Sequence, residues 1–125
     1  AIAQRSPACR LLGPVSDAEL VDLQRAAGAS ASPALYEGFG IVPLEAMACG
    51  TPAVIAADSG GLEEVSAAAA IVVGARTPEA WSAAIETALE RPPALIARGL
   101  RHADGFRWPA VAAQTREVFA EACAR

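Results

Sequence analysis

Lysine is absent from this chain, and all ten of its basic residues are arginine. They are outnumbered by 14 acidic residues, so the net charge at pH 7 is −4. A surface that binds nucleic acid needs clustered basic side chains that neutralise phosphates. We therefore expect no nucleic-acid partner.

Cysteine and histidine are also scarce. The three cysteines, Cys9, Cys49 and Cys123, are widely spaced and odd in number, which is typical of a reducing cytoplasm rather than of a disulfide framework. Because there is neither a C-x-x-C pair nor a Cys/His cluster, no metal site is predicted. We interpret Cys49 as a small core residue and His102, the one histidine, as a solvated surface side chain.

A long apolar run, a starting Met and a signal peptide are missing as well. A helix that spans a bilayer needs about 20 consecutive apolar residues. We therefore expect a cytoplasmic piece of a longer protein.

Apolar residues are nevertheless plentiful, at 54% of the 125 residues. This length fits a single domain over residues 1–125, and this composition can build a core without disulfides. Ser16 and Glu19 form a capping box at the start of a predicted helix over 17–27, which Gly28 ends.

Further helices are predicted in the second half of the chain. The helix over 77–90 repeats apolar side chains every four residues, and these should face the core: Trp81, Ile85 and Leu89. Two more helices are predicted over 94–103 and from about residue 109. The last of them has a predicted buried stripe of four residues: Val111, Thr115, Val118 and Phe119.

Short strands alternate with helices in the first half. We predict strands over 29–32, 52–57 and 70–73, the end of another strand at 11–12, and one helical turn within 58–65. This order predicts the α/β class, with a Rossmann-like parallel β-sheet flanked by helices.

The segment “LYEGFGIVPLEAMACGTP”, residues 35–52, carries the strongest chemical signal. It joins a predicted strand to a predicted helix over 43–49, which is where parallel α/β sheets bind ligands. The N-terminus of that helix offers free N–H groups and a partial positive charge. Gly38 and Gly40 lack a Cβ atom, so the backbone between them can approach a ligand closely. The combination is typical of a phosphate or diphosphate site.

Two carboxylates, Glu37 and Glu45, lie on either side of this predicted anion site. A carboxylate repels phosphate but accepts hydrogen bonds from hydroxyl groups, so the segment fits a ligand with hydroxyls at both ends and phosphates between them. A nucleotide sugar has this layout. A structural loop is equally open, because Glu in a first helical turn complements the helix dipole and a G-x-G loop alone is weak evidence.

The longer segment “YEGFGIVPLEAMACGTPAVIAADSGGLEEV” closely resembles the donor-binding segment of retaining GT-B glycosyltransferases of the family 4 (group 1) type. Their signature is a glutamate, seven residues and a second glutamate, which Glu37 and Glu45 match. The resemblance extends to “SDAELVDLQRAAG”, “TPEAWSAAIETAL” and “FRWPAVAAQTREVF”, and so covers nearly the whole chain. It implies the C-terminal half of a GT-B fold, truncated at its N-terminal side, with C-terminal helices over about 78–124.

The resemblance also implies roles for individual residues. Glu37 would be the catalytic residue and would contact hydroxyl groups of the donor sugar, whereas Glu45 would accept hydrogen bonds from the nucleotide ribose. Main-chain N–H groups would hold the sugar and the diphosphate, namely those of Gly38, Phe39, Gly40 and Ile41. Two apolar residues would lie near the nucleoside: Val42 and Leu44. The donor is a nucleotide-diphosphate sugar, and neither a metal nor another cofactor is implied.

The implied parent enzyme transfers this sugar to an acceptor with retention of configuration. Its amino-terminal acceptor domain lies outside this chain, as does the Arg and Lys pair that grips the donor phosphates in the family. We expect the chain alone to be inactive and to self-associate through an exposed sheet edge and apolar face. Any peripheral membrane attachment would involve the missing domain. Two departures from the family pattern are Glu63, where proline is usual, and the weakly hydrophobic strand over 29–32.

Other interpretations stay open beside this one. The chain could be a non-catalytic nucleotide-binding or structural Rossmann-like module. A dinucleotide-dependent dehydrogenase is disfavoured, because Pro43 stands where G-x-G-x-x-G needs its last small residue. Gly60 and Gly61 fit a close approach to the donor and a tight strand-to-helix turn equally well.

Overall fold

The computed structural model describes residues 6–124, which form nine helices and strands within that range. In chain order they are α1 (Asp17–Ala26), β1 (Ser30–Ser32), α2 (Ile41–Ala48), β2 (Ala53–Ala56), α3 (Gly61–Ser66), β3 (Ile71–Val73), α4 (Pro78–Leu89), α5 (Pro93–Asp104) and α6 (Trp108–Cys123).

The three strands of the described range form one parallel sheet in the order β1-β2-β3. Ser30 pairs with Ala53, and Val54 pairs with Ile71. Every residue of β2 is buried, because this strand lies between the other two and is covered on both faces. The predicted parallel α/β fold is therefore confirmed.

The side chains of β2 alternate between two hydrophobic clusters, one on each face of the sheet. Ala53 and Ile55 pack with residues of α2 and α3, including Met47 and Leu62. On the other face, Val54 packs with residues from β3 and α4: Val73, Trp81, Ala84, Ile85 and Ala88. Outside this sandwich, α5 lies against α2.

Helix α1 begins at the predicted capping box. The backbone N–H of Glu19 donates to the Ser16 hydroxyl at 3.3 Å, and the Glu19 carboxylate accepts from the Ser16 backbone N–H at 2.9 Å. The hydrogen bonds from the Ser16 hydroxyl and then from its backbone hold the pKa of Glu19 below its ordinary value. The helix ends where Ala27 becomes extended, one residue before Gly28.

The predicted strand end at Leu11 and Leu12 is wrong. Both residues lie outside any strand and are 63% and 45% exposed. A strand exists only while its backbone groups pair with a neighbour, and β1 pairs only with β2 among the described strands.

Two predicted buried stripes are also partly wrong. In α4 the last buried position is Ala88 rather than Leu89, which is 54% exposed. In α6 no residue is buried, and Val118 and Phe119 are 64% and 66% exposed. The apolar period is present in α6, but no described element covers that length of the helix.

His102 is not the solvated side chain that we predicted. It is half-buried, its Nε2 atom lies 2.6 Å from the carbonyl oxygen of Val65, and its ring contacts Phe106. The histidine thus joins α5 to α3. Cys49 is half-buried at the end of α2 rather than fully in the core.

Candidate functional site

The loop that joins β1 to α2 lies at the carboxyl edge of the sheet, as the sequence predicts. Its last residue, Gly40, is the N-cap of α2 and has a φ of 89°. A Cβ atom on Gly40 would lie 2.7 Å from Cδ1 and 3.1 Å from Cα of Leu62. Both the backbone conformation and the neighbouring helix therefore require glycine here.

A second loop, residues 57–60, touches the first one backbone to backbone. The N–H of Glu37 donates to the carbonyl oxygen of Ser59 at 3.0 Å. A Cβ atom on Gly61 would lie only 2.1 Å from the carbonyl oxygen of Gly38. The Gly60-Gly61 pair therefore has a clear packing role, because the two loops can approach this closely only without a side chain at position 61.

Helix α2 begins at Ile41, two residues earlier than predicted. No side chain of the described residues caps it, and Pro43 has no N–H group. Ile41 and Val42 are 59% and 52% exposed, and no hydrogen-bond acceptor among the described residues is paired with the N–H of either one. A helix start of this kind favours an anion.

Glu37 is exposed and lines a small cleft at this helix start, with a volume of about 160 Å³. The cleft brings together most of the residues that the sequence predicts as a donor site. Its lining consists of Ser32, Glu37, Phe39, Gly40, Ile41, Val42 and Pro43.

Glu45 lies one turn further along α2 and is half-buried. Because the helix starts at Ile41, this carboxylate belongs to the second turn and not to the first, which corrects our prediction. The dipole effect falls off within the first turn, so dipole complementation is a poor reason for a glutamate here. Glu45 lines two other clefts, one against α1 of about 230 Å³ and one against α5 and α6 of about 560 Å³.

The larger of these clefts adjoins the small one, because Phe39 and Ile41 line both. Phe39 is 46% exposed and meets the ring of Phe106 edge to face at 6.0 Å. Leu44 is only 8% exposed and forms part of the core beneath the cleft. Phe39, Ile41 and Val42 therefore offer accessible side-chain surface, and Leu44 offers very little.

Three residues at this edge were not singled out as site residues by sequence reasoning. The carboxylate of Glu63 accepts from the backbone N–H of Asp58 at 2.7 Å, and the guanidinium of Arg76 donates to the carbonyl of Ala57 at 3.1 Å. Asp58 itself has a left-handed φ of 53°. The only available signal was that Asp58 and Arg76 follow strands at the carboxyl edge of the sheet.

Residues 6–124 show neither a metal-binding cluster nor a membrane-spanning helix. No group of three or more His, Cys, Asp or Glu side chains is arranged to hold a metal ion. None of the helices in that range has both the length and the apolar character that a bilayer crossing requires.

Comparisons with known proteins place the chain among sugar-transferring enzymes. Residues 3–101 match the family model described as glycosyl transferases group 1. Curated relatives include D-inositol 3-phosphate glycosyltransferases from Kineococcus radiotolerans, 41% identical over 90% of this chain, and from Thermobispora bispora, 40% identical over 93% of it. The chain spans only 29% and 28% of the length of these two relatives.

A solved structure of similar fold is the sucrose-phosphate synthase from Thermosynechococcus elongatus. Its TM-score against this chain is 0.82 at 26% sequence identity, and the match covers 98% of this chain and 33% of that protein.

Proposed function

The chain belongs to the group 1 glycosyltransferase family, and from this premise we propose that it is the donor-binding part of an enzyme that transfers a sugar from a nucleotide-diphosphate sugar. One observation carries the proposal. The uncapped start of α2 follows Glu37 along the chain and precedes Glu45, and the cleft that Glu37 lines adjoins one that Glu45 lines, because Phe39 and Ile41 line both.

Each part of the donor has a matching group in this arrangement. The diphosphate takes the N–H groups at the start of α2, because they are donors at the positive end of a helix dipole. Glu37 accepts from the sugar hydroxyls, and Glu45 accepts from the ribose hydroxyls. As the sugar leaves, negative charge grows on the diphosphate, and fixed N–H donors stabilise that charge without rearranging.

The rest of the enzyme is part of the same proposal. The acceptor would be bound by an amino-terminal domain of the parent protein, and transfer would occur with retention at the cleft between the two domains, without a metal. The similar proteins carry names for two different reactions, D-inositol 3-phosphate glycosyl transfer and sucrose phosphate synthesis. What they share with this chain therefore supports use of a sugar donor rather than one particular acceptor.

Calorimetric titration of the 125-residue chain with UDP, GDP and ADP tests the binding half of the proposal. We expect weak binding of one of the three, because the basic pair that grips the phosphates in this family is not in the chain. A dissociation constant near 1 mM would correspond to about −4 kcal/mol. If all three nucleotides fail to bind up to about 10 mM, the structural Rossmann-like module becomes the better description.

A further inference from the structure

We propose that Arg76 and Glu63 are positioning residues that clamp one peptide group, the one between Ala57 and Asp58, and thereby hold the two loops of the donor site together. The inference rests on the proposed function and adds two residues to it that contact no part of the donor themselves.

The clamp grips the peptide group at both of its polar atoms. Its carbonyl oxygen, on Ala57, accepts from the Arg76 guanidinium at 3.1 Å. Its N–H, on Asp58, donates to a carboxylate oxygen of Glu63 at 2.7 Å. A cation on the oxygen and an anion on the N–H align with the peptide dipole, so both are charge-assisted hydrogen bonds, which are stronger than neutral ones.

This peptide group needs support because the residue after it is strained. Asp58 has a φ of 53°, in the left-handed region that L-residues other than glycine seldom occupy. Asp tolerates that region better than most residues, but a relaxed chain would still leave it. Fixing the preceding peptide plane from both sides keeps the turn in the conformation that the next residues require.

The residues that follow Asp58 contact the loop that joins β1 to α2. Ser59 supplies the carbonyl oxygen that accepts from the N–H of Glu37 at 3.0 Å, and Gly61 lies directly against the backbone of Gly38. A rotation of the Ala57–Asp58 peptide would therefore displace the carbonyl that fixes Glu37. Ser59 is therefore the one residue that connects the clamped peptide group to Glu37, the proposed sugar-binding residue.

Arg76 also reaches the first loop directly. Its other terminal nitrogen lies 3.4 Å from the carbonyl oxygen of Ala34, at the beginning of that loop. One planar guanidinium thus spans the chain segments that enter both loops. Lysine could supply the charge but not this two-pronged geometry.

Arg91 provides a matched control, because it uses the same chemistry away from the site. Its guanidinium donates to the carbonyl oxygens of Ala27 and Gly50 at 3.1 and 3.0 Å. These carbonyls follow α1 and α2, at the opposite edge of the sheet from the loops. Removing Arg91 costs the fold two comparable hydrogen bonds without touching the clamp.

Amide hydrogen exchange in the ligand-free chain tests the clamp. In Arg76→Ala and Glu63→Ala we expect the amides of Asp58 and Glu37 to exchange about tenfold faster, the effect of one net hydrogen bond. Glu63→Gln keeps an acceptor oxygen and should restore most of the protection. Arg91→Ala should lower the melting temperature. After correction for the change in global stability, the exchange rates of the Asp58 and Glu37 amides should equal those in the unsubstituted chain.

The proposal is overturned if the Glu37 amide keeps its protection in both alanine variants, or loses it equally in Arg91→Ala. Nucleotide titration of the same proteins separates this inference from the proposed function. If the unsubstituted 125-residue chain binds none of UDP, GDP and ADP, the proposed function is contradicted. The exchange rates still show whether the clamp exists.

If a nucleotide binds, Glu63→Ala is the informative variant. Loss of a negative charge beside a phosphate site should strengthen binding if charge alone matters. The clamp instead requires about tenfold weaker binding of the matching nucleotide sugar in Glu63→Ala and in Arg76→Ala, because the clamp acts through Glu37. In the double variant the two effects should be less than additive, because both residues hold one group. Stronger binding in Glu63→Ala would count against the clamp.

Discussion

The two glutamates of the proposed donor site differ in position, and this difference separates their expected effects. Glu37 is an exposed residue on the loop before α2, and Glu45 is half-buried in the second turn of that helix. If Glu37 contacts the sugar and Glu45 the ribose, a nucleotide without a sugar distinguishes them.

We predict that Glu45→Ala weakens binding of both the free nucleotide and the nucleotide sugar, whereas Glu37→Ala weakens binding of the nucleotide sugar alone. Each loss should be about tenfold to a hundredfold, because each carboxylate would make charge-assisted hydrogen bonds to the ligand in this assignment. Calorimetry with UDP and UDP-glucose, or the matching pair for the nucleotide that binds, measures both. Glu64→Ala, an exposed carboxylate of α3, serves as the control, and equal losses in all three variants would contradict the assignment.

Gly61 makes the closest approach between the two loops, so a methyl group there should be costly. In Gly61→Ala the new Cβ atom would lie 2.1 Å from the carbonyl oxygen of Gly38. We expect the free energy of unfolding to fall by about 1–3 kcal/mol, since the two backbones must separate. Denaturant titration measures it. In Gly74→Ala the new atom meets nothing within 4 Å, and a change beyond about 0.5 kcal/mol there would show that glycine replacement itself is harmful.

At the scale of elements, the capping box of α1 affects both the stability of the helix and its dependence on pH. Ser16→Ala removes the hydroxyl that accepts from the Glu19 N–H and donates to its carboxylate. We expect the free energy of unfolding to fall by about 1 kcal/mol. The pKa of Glu19 should rise toward its ordinary value, because the hydrogen bond from the Ser16 hydroxyl is the main cause that lowers it.

The direction of the pH effect follows from this lowered pKa. The stabilising contribution of ionised Glu19 is present above its unfolded pKa and is lost as pH falls through the lower, folded value. Carboxylate titration by NMR on the parent chain and on Ser16→Ala measures the shift. An unchanged Glu19 pKa in the variant would contradict the capping-box explanation.

The sequence predicts an element correctly when the signal is local, and less well when the element needs a neighbour in the fold. Helix α1 and the start of α4 follow from local caps, and all three described strands lie within the predicted runs. The burial of Leu89 and of the α6 stripe was predicted wrongly, because an apolar period shows which side could be covered and not whether a neighbour covers it. Leu11 and Leu12 fail for a related reason, since a strand needs a partner.

The residues of the candidate site also divide into those set by local sequence and those whose partners are distant in sequence. The places of Glu37 and Gly40 on the loop before α2 were predictable, because the preceding strand and the helix start fix that loop, whereas Glu45 lies in the second turn of α2 and not in the predicted first turn. Arg76 was not, since its partners are carbonyl oxygens that come near it only when three strands are aligned. Glu63 appeared in the sequence only as a departure from a family pattern, and its partner amide depends on the left-handed turn at Asp58.

At the scale of the whole molecule, α6 has no buried residue and leaves several large apolar side chains exposed. Its exposed side chains include Trp108 at 84%, Val118 at 64% and Phe119 at 66%. Exposed apolar patches of this kind usually mark an interaction surface. Together with the free edge of β1, this surface is the basis for expecting self-association of the chain.

We predict that light scattering will show a mass that rises with concentration toward that of a dimer. Val118→Asp should keep the chain monomeric, because it puts a charge into the apolar stripe. Ala120→Asp, on the opposite side of the same helix, should not. A monomer at all concentrations in the parent chain, or equal effects of the two substitutions, would contradict a dimer formed through α6.

Helix α2 places the ligand-facing residues and the core on one rigid element, since Ile41 and Glu45 line the clefts while Leu44 and Met47 are buried against β2. Unfolding this helix would therefore disrupt the core and the proposed donor site in the same event. Occupancy and folding are then thermodynamically linked, and a ligand at about 100 times its dissociation constant would stabilise the native chain by about 2.7 kcal/mol. If the chain binds nucleotides as proposed, the rise in its melting temperature ranks them by affinity.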